Sequence, residues 1–254
     1  MSNYKSALEL AIALQPVDPV TLIRPHAAAR AARYFVENFL GTSFYAVKAN
    51  PAPELIKLLF ANGIKHFDVA SINEIRLVKE NAPDAILAFM NPVKSQNAIN
   101  EAYYQHQVRI FSLDSLEELE KICQATNDAQ DLSLLVRLQV SSQYSSLSLA
   151  HKFGVEPKDC SKLLQETRQT ASNLGICFHV GSQALDPQAY VDAIGLVSKA
   201  IAEAKVKVDI VDIGGGFPSC YPKREVHDLQ PYFRAIMAAY EDLPIDRSAE
   251  LWCE

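Results

Sequence analysis

From residue 43 onward, short apolar runs alternate with amphipathic stretches. The runs occupy 43–47, 66–69, 85–90, 108–112, 133–139, 176–180, 208–213 and 250–253. Most are continuously apolar rather than strictly alternating, the pattern of parallel strands covered on both faces. The stretches between them carry the helical period. In 115–125, Leu116, Leu119, Ile122 and Cys123 form one stripe, with Glu117, Glu118 and Lys121 outside it. Ser115 with Glu118, and Ser71 with Glu74, have the spacing of a capping box. Helices are also predicted over 26–38 and over 158–174, the latter grouping Leu163, Leu164, Thr167 and Ala171. Another, opened by Asp186 with Pro187 at its first position, carries Val191, Ile194 and Ile201. Eight strands with seven intervening helices predict an α/β chain, a (β/α)8 TIM-type barrel with right-handed crossovers. An open doubly wound sheet is the main competing arrangement.

Residues 1–24 precede this alternation and include the strand-like Val20-Thr21-Leu22-Ile23. They are expected to belong to another domain, leaving 25–254 as a barrel that ends at strand eight. The chain has 254 residues, 49% of them apolar, enough for one large core. A net charge of −6 offers no basic face to nucleic acid, and the apolar runs are too short to span a membrane. The opening residues lack the pattern of a signal peptide. Cys123, Cys160, Cys177, Cys220 and Cys253 are odd in number and irregular in spacing, which fits neither a disulfide framework nor a metal site. A cytoplasmic protein with reduced thiols is expected.

Lys48 follows the apolar run Phe44-Tyr45-Ala46-Val47. A lysine there either snorkels to water or has its amine put to use at the barrel rim where active sites form. Desolvation is expected to lower its pKa and favour Schiff-base chemistry with a carbonyl. Gly214, Gly215 and Gly216, after strand seven, form either a permissive turn or a bare backbone that approaches an anion. His179 and Ser182, in His179-Val180-Gly181-Ser182, offer a ring for stacking and a hydroxyl for an anion. Alternatively, the histidine is satisfied by a neighbouring carbonyl. Asp68 closes strand two, either to hold the lysine amine or to cap the next helix. Arg137 interrupts the apolar fifth strand and needs a partner, for which Asp212 is a structural candidate. Glu254 follows strand eight and is either solvated or aimed at a ring nitrogen.

Five blocks, FYAVKAN (44–50), FDVASINEI (67–75), HKFGV (151–155), HVGSQ (179–183) and DIGGGFP (212–218), resemble the ornithine/diaminopimelate/arginine decarboxylase family. These are pyridoxal-phosphate enzymes of the alanine-racemase-like barrel fold. The resemblance implies pyridoxal 5'-phosphate as cofactor, bound as a Schiff base to Lys48, with His179 stacked on its ring. It implies that Ser182, Gly214, Gly215 and Gly216 hold the phosphate, that Asp68 and Arg137 support the lysine and ring, and that Glu254 faces the pyridine nitrogen. It further implies a homodimer, a small amino-acid substrate, and a C-terminal β-domain absent from this chain, which residues 1–24 would join. FDVAS (67–71), FMNPVKS (89–95) and FSLDS (111–115) resemble the ornithine branch, which makes putrescine for polyamine biosynthesis. The glutamine of HVGSQ leans towards the diaminopimelate branch. Lysine decarboxylation, amino-acid racemisation, a stand-alone cofactor carrier and a non-catalytic, antizyme-inhibitor-like binding role are the other readings.

Overall fold

The structure, a computed structural model, describes residues 4–141, 143–147, 152–219 and 228–254. His151 of the HKFGV block and Cys220 lie outside the described residues. In chain order the elements are α1 (Ala7–Leu14), α2 (Pro25–Asn38), β1 (Thr42–Ala46), α3 (Pro53–Ala61), β2 (His66–Val69), α4 (Ile72–Asn81), β3 (Ile86–Phe89), α5 (Gln96–His106), β4 (Ile110–Leu113) and α6 (Leu116–Thr126). They continue with β5 (Ser133–Arg137), β6 (Ser145–Leu147), α7 (Pro157–Thr170), β7 (Asn173–Cys177), β8 (Ser182–Ala184), α8 (Gln188–Ala204), β9 (Ile210–Asp212), α9 (Gln230–Glu241) and β10 (Glu250–Cys253). Eight strands close a parallel barrel in the order β1-β10-β9-β7-β5-β4-β3-β2. The ring closes between its first and last strands, where Thr42 pairs with Trp252 and Ser43 with Cys253. The open-sheet alternative is thereby excluded.

Strand alternation divides the apolar residues into two cores. Phe44, Ala88, Leu135, Cys177, Ile210 and Trp252 fill the barrel interior. Phe67, Phe111, Leu134, Val136, Ile176 and Val211 face outward and pack under the helices. Ser71 and Ser115 cap α4 and α6 as expected, each accepting a hydrogen bond from the N–H of the glutamate three residues on.

Four local expectations are corrected. The sixth barrel strand is β7, beginning three residues earlier than predicted. Gly175, a poor strand former, hides its first half; a Cβ there would meet Leu135 and Ile210, which fill the barrel instead. Pro187 is the residue before α8 rather than its first position. Val20-Thr21-Leu22-Ile23 joins no strand ladder among the described residues. Ahead of it, α1 is a helix that the apolar pattern does not signal, capped by Ser6 accepting from the Glu9 N–H. Beyond β5 the chain makes an excursion in which β6 pairs antiparallel with β8 over the C-terminal rim. Among the described residues, no helix is long and apolar enough to cross a membrane, no His, Cys, Asp or Glu cluster is arranged to hold a metal ion, and the cysteines are free thiols.

Candidate active site

Alternation along the strands sets the site's position. Asp68, Arg137, His179, Asp212 and Glu254 each lie two residues beyond an inward-facing side chain: His66, Leu135, Cys177, Ile210 and Trp252. They therefore stand above the apolar plug, at the C-terminal mouth of the barrel.

β1 ends at Ala46, and Val47–Ala49 forms a single 3-10 turn with Val47 fully buried. Lys48 is thus lifted off the strand end rather than continuing it. Ala46 is in register with Asp68 on β2, which brings the Lys48 Nζ to 2.9 Å from Asp68 Oδ2. Asp68 is 1% exposed, and its Oδ1 has no hydrogen-bond partner. The lysine side chain is 53% exposed, so its amine is reachable from solvent.

The expected depression of the Lys48 pKa is not what the site produces. Desolvation does push it down and is the largest single influence. The Asp68 and Glu254 carboxylates together outweigh it, and the net shift is upward. Asp68 is raised to about 7 by burial and by Glu254, against the opposing pull of Lys48. Three carboxyl groups, Asp68, Asp212 and Glu254, thus share a mouth with the cations Lys48 and Arg137. The excess of acid is resolved by retaining protons, and burial lifts Asp212 well above the usual carboxylate range.

His179 is held at about 4 by burial and by the nearby Arg137 and Lys48 charges. Its Nδ1 accepts the Gly181 N–H at 2.9 Å, so the neutral ring carries its proton on Nε2. Arg137 is not paired with Asp212. Its guanidinium lies 5.4 Å from the Phe153 ring centre, while Asp212 accepts the Gly214 N–H at 2.8 Å and is hydrogen-bonded to Glu254. Ser182 lies on β8 opposite Leu147, and its neighbour Ala184 donates to the Gly216 carbonyl at 2.8 Å.

The glycine loop requires its composition. Gly214 (φ 65°) and Gly216 (φ 102°) are left-handed, and a Cβ on either would collide with the carbonyl oxygen of Phe178 or Gly181. A Cβ on Gly215 would fall 3.1 Å from the Glu254 carbonyl oxygen and 3.6 Å from His179 Nε2. Tyr190, which sequence reasoning missed, and Asp212, which it paired with Arg137 instead, hold this loop. Tyr190, buried on α8, donates to the Gly215 carbonyl at 3.1 Å and stacks on Phe217 at 5.1 Å. Asp212 grips its start. A tyrosine in a helical stripe carries no signal of such a role, whereas the position of Asp212 two residues after Ile210 does.

These residues fit pyridoxal phosphate. A reachable amine, an unpartnered buried carboxylate oxygen and a side-chain-free loop that a Cβ would fill all lie at the mouth of the barrel. Residues 26–254 match the family described as pyridoxal-dependent decarboxylase, pyridoxal binding domain. Lysine/ornithine decarboxylase of Selenomonas ruminantium is 35% identical over 216 residues, covering 83% of this chain and 53% of that protein. Antizyme inhibitor 2 of Xenopus laevis is 35% identical over 181 residues, covering 69% of this chain and 38% of that protein. The chain therefore spans about half or less of these relatives' length. The crystal structure of lysine decarboxylase from Selenomonas ruminantium superposes with a TM-score of 0.83 at 29% identity, covering 100% of this chain and 67% of that one.

Proposed function

From the premise that the chain belongs to the pyridoxal-dependent decarboxylases, we propose that it acts in decarboxylation of a basic amino acid, L-ornithine to putrescine in first place. The observation that carries this reading is the reachable Lys48 amine 2.9 Å from a buried carboxylate at the barrel mouth. Bound pyridoxal phosphate supplies an electron sink for the pair left on Cα when the carboxylate departs as carbon dioxide.

The chain's residues have the following parts. Lys48 holds the cofactor through its Nζ, after passing a proton to Asp68 Oδ2, whose affinity for it is raised by burial. Glu254 would face the pyridine nitrogen and keep it protonated. His179 presents a flat, neutral ring for stacking, which the low pKa supports because a cationic imidazole would repel a protonated pyridine. The N–H groups of Gly215 and Gly216, with the Ser182 hydroxyl, would hold the phosphate, while the Gly214 N–H is already donated to Asp212 and shapes the loop. Arg137 offsets part of the acid excess beside the ring.

Ornithine is favoured over lysine or arginine by the FDVAS, FMNPVKS and FSLDS phrases. Residues 1–24 are assigned to the side of a C-terminal β-domain; Leu8, Ile12, Leu14 and Val17 stand exposed there, which supports a covering partner. The whole protein is taken to be a cytoplasmic homodimer. A second reading, a non-catalytic relative, is favoured by the 35% identity to antizyme inhibitor 2.

Carboxyl-labelled ornithine, lysine and arginine, each supplied with pyridoxal phosphate, decide between these. Label is expected as carbon dioxide, fastest from ornithine, and Lys48→Ala is expected to abolish it. Cofactor uptake by the wild type without release from any of the three would refute the enzyme reading in favour of the binding relative.

A further inference from the structure

Asp212 is 1% exposed and has no part in the chemistry above, yet it touches two parts of the site at once. It ends β9, in register with Trp252 on β10 and with Cys177 on β7. Its Oδ1 accepts the Gly214 N–H at 2.8 Å, the first turn of the glycine loop. Its carboxyl group is also hydrogen-bonded to that of Glu254. The backbone repeats the connection: the Ile213 N–H donates to the Trp252 carbonyl at 3.0 Å, and the Glu254 N–H to the Gly214 carbonyl at 2.9 Å.

Two carboxyl groups in hydrogen-bond contact need one proton between them, because an ionised carboxylate only accepts. Asp212 is the member that burial disfavours as an anion. Glu254, half-buried at the mouth, is the other member of the pair.

We propose that Asp212 is a positioning residue that, as a neutral acid, donates to Glu254 and accepts from Gly214. It thereby locks the ring-facing carboxylate and the phosphate-facing loop into one unit. This rests on the reading that Glu254 faces the cofactor's ring. On that reading, one side chain sets the distance between the groups that grip the two ends of the cofactor. An ionised aspartate could not do this, since it would repel Glu254 rather than orient it.

Asp212→Asn copies the proposed state: its amide oxygen accepts from Gly214 and its amide N–H donates to Glu254. Asp212→Ala removes both bonds. Titrations with pyridoxal phosphate and with phosphate-free pyridoxal separate the two ends of the site. Asp212→Asn is expected to bind both within about threefold of wild type, and Asp212→Ala to weaken both by about tenfold or more, the scale of a lost charge-assisted hydrogen bond. Loss confined to the phosphate-bearing ligand would reduce Asp212 to a turn residue and overturn the proposal. So would an Asp212→Asn variant as weak as Asp212→Ala.

Infrared spectra of the cofactor-free chain give a second readout. At about pH 8.5, above the Asp68 value of about 7, the wild type is expected to show a protonated carboxyl band that Asp212→Asn lacks. Absence of that band in the wild type would overturn the proposal even if Asp212→Ala fails to fold. If the wild type takes up no pyridoxal phosphate, the functional reading falls, while the infrared result still decides whether Asp212 and Glu254 share a proton.

Discussion

Asp68→Asn tests the electrostatics of the mouth through the stability of the cofactor-free chain. Burial and Glu254 hold the Asp68 carboxyl at about 7 against an ordinary 3.8. Across that interval the folded chain keeps a proton that the unfolded chain has released. Stability from this group is fully present below the unfolded value and is lost as pH rises through about 7. Between about pH 6 and about pH 8 the loss integrates to about 1 kcal/mol. Lys48, shifted upward, stays charged throughout that window and adds no slope. Asparagine has the same shape, still accepts from the amine and does not titrate. Trp252, the sole tryptophan of the chain, is 6% exposed inside the barrel and reports unfolding by fluorescence. With a urea dependence of about 3 kcal/mol per molar, the wild-type midpoint is expected to fall by roughly 0.3 M more than that of Asp68→Asn over this pH range. Equal falls in the two proteins would show that Asp68 is ionised in the fold at neutral pH, and the account of the acid excess would be wrong.

Two further outcomes follow from the same geometry. Gly216→Ala places a Cβ against the Gly181 carbonyl at φ 102° and is expected to cost about 2 kcal/mol or more, together with loss of pyridoxal phosphate uptake; an unchanged urea midpoint would contradict it. The His179 ring, held at about 4, is expected to keep its neutral proton chemical shifts down to about pH 5, so an NMR midpoint near the ordinary 6.5 would place the ring in water instead.

Much of this architecture is legible along the chain because each strand carries its own evidence. The strands predicted at 66–69 and 250–253 coincide with β2 and β10. The serine caps of α4 and α6 are local devices, readable from a spacing of three. Where the deciding partner lies on another strand, reading along the chain fails. Gly175 looks like a break until Leu135 and Ile210 are seen to occupy the room it leaves. Arg137 and Asp212 are plausible partners by charge, but across the mouth each has other neighbours. The direction of the Lys48 shift reverses because two carboxylates outweigh its desolvation, and no single strand reveals how many acids meet there. The pairing of Lys48 with Asp68 is legible because they lie close to the C-terminal ends of strands that neighbour each other in a parallel barrel.

Lys48 follows β1 and Glu254 follows β10, the two strands whose pairing through Thr42–Trp252 and Ser43–Cys253 closes the ring. The groups assigned to the lysine end and the pyridine end of the cofactor therefore lie on opposite sides of the seam, contributed by distant parts of the chain. No earlier intermediate with an open ring could offer both. A ligand that needs both sides binds only closed barrels, so it draws the folding equilibrium towards closure by mass action. At a hundredfold excess over its dissociation constant this amounts to about 2.7 kcal/mol. The cofactor then acts as a clasp as well as a reagent, securing the ring where its first and last strands meet.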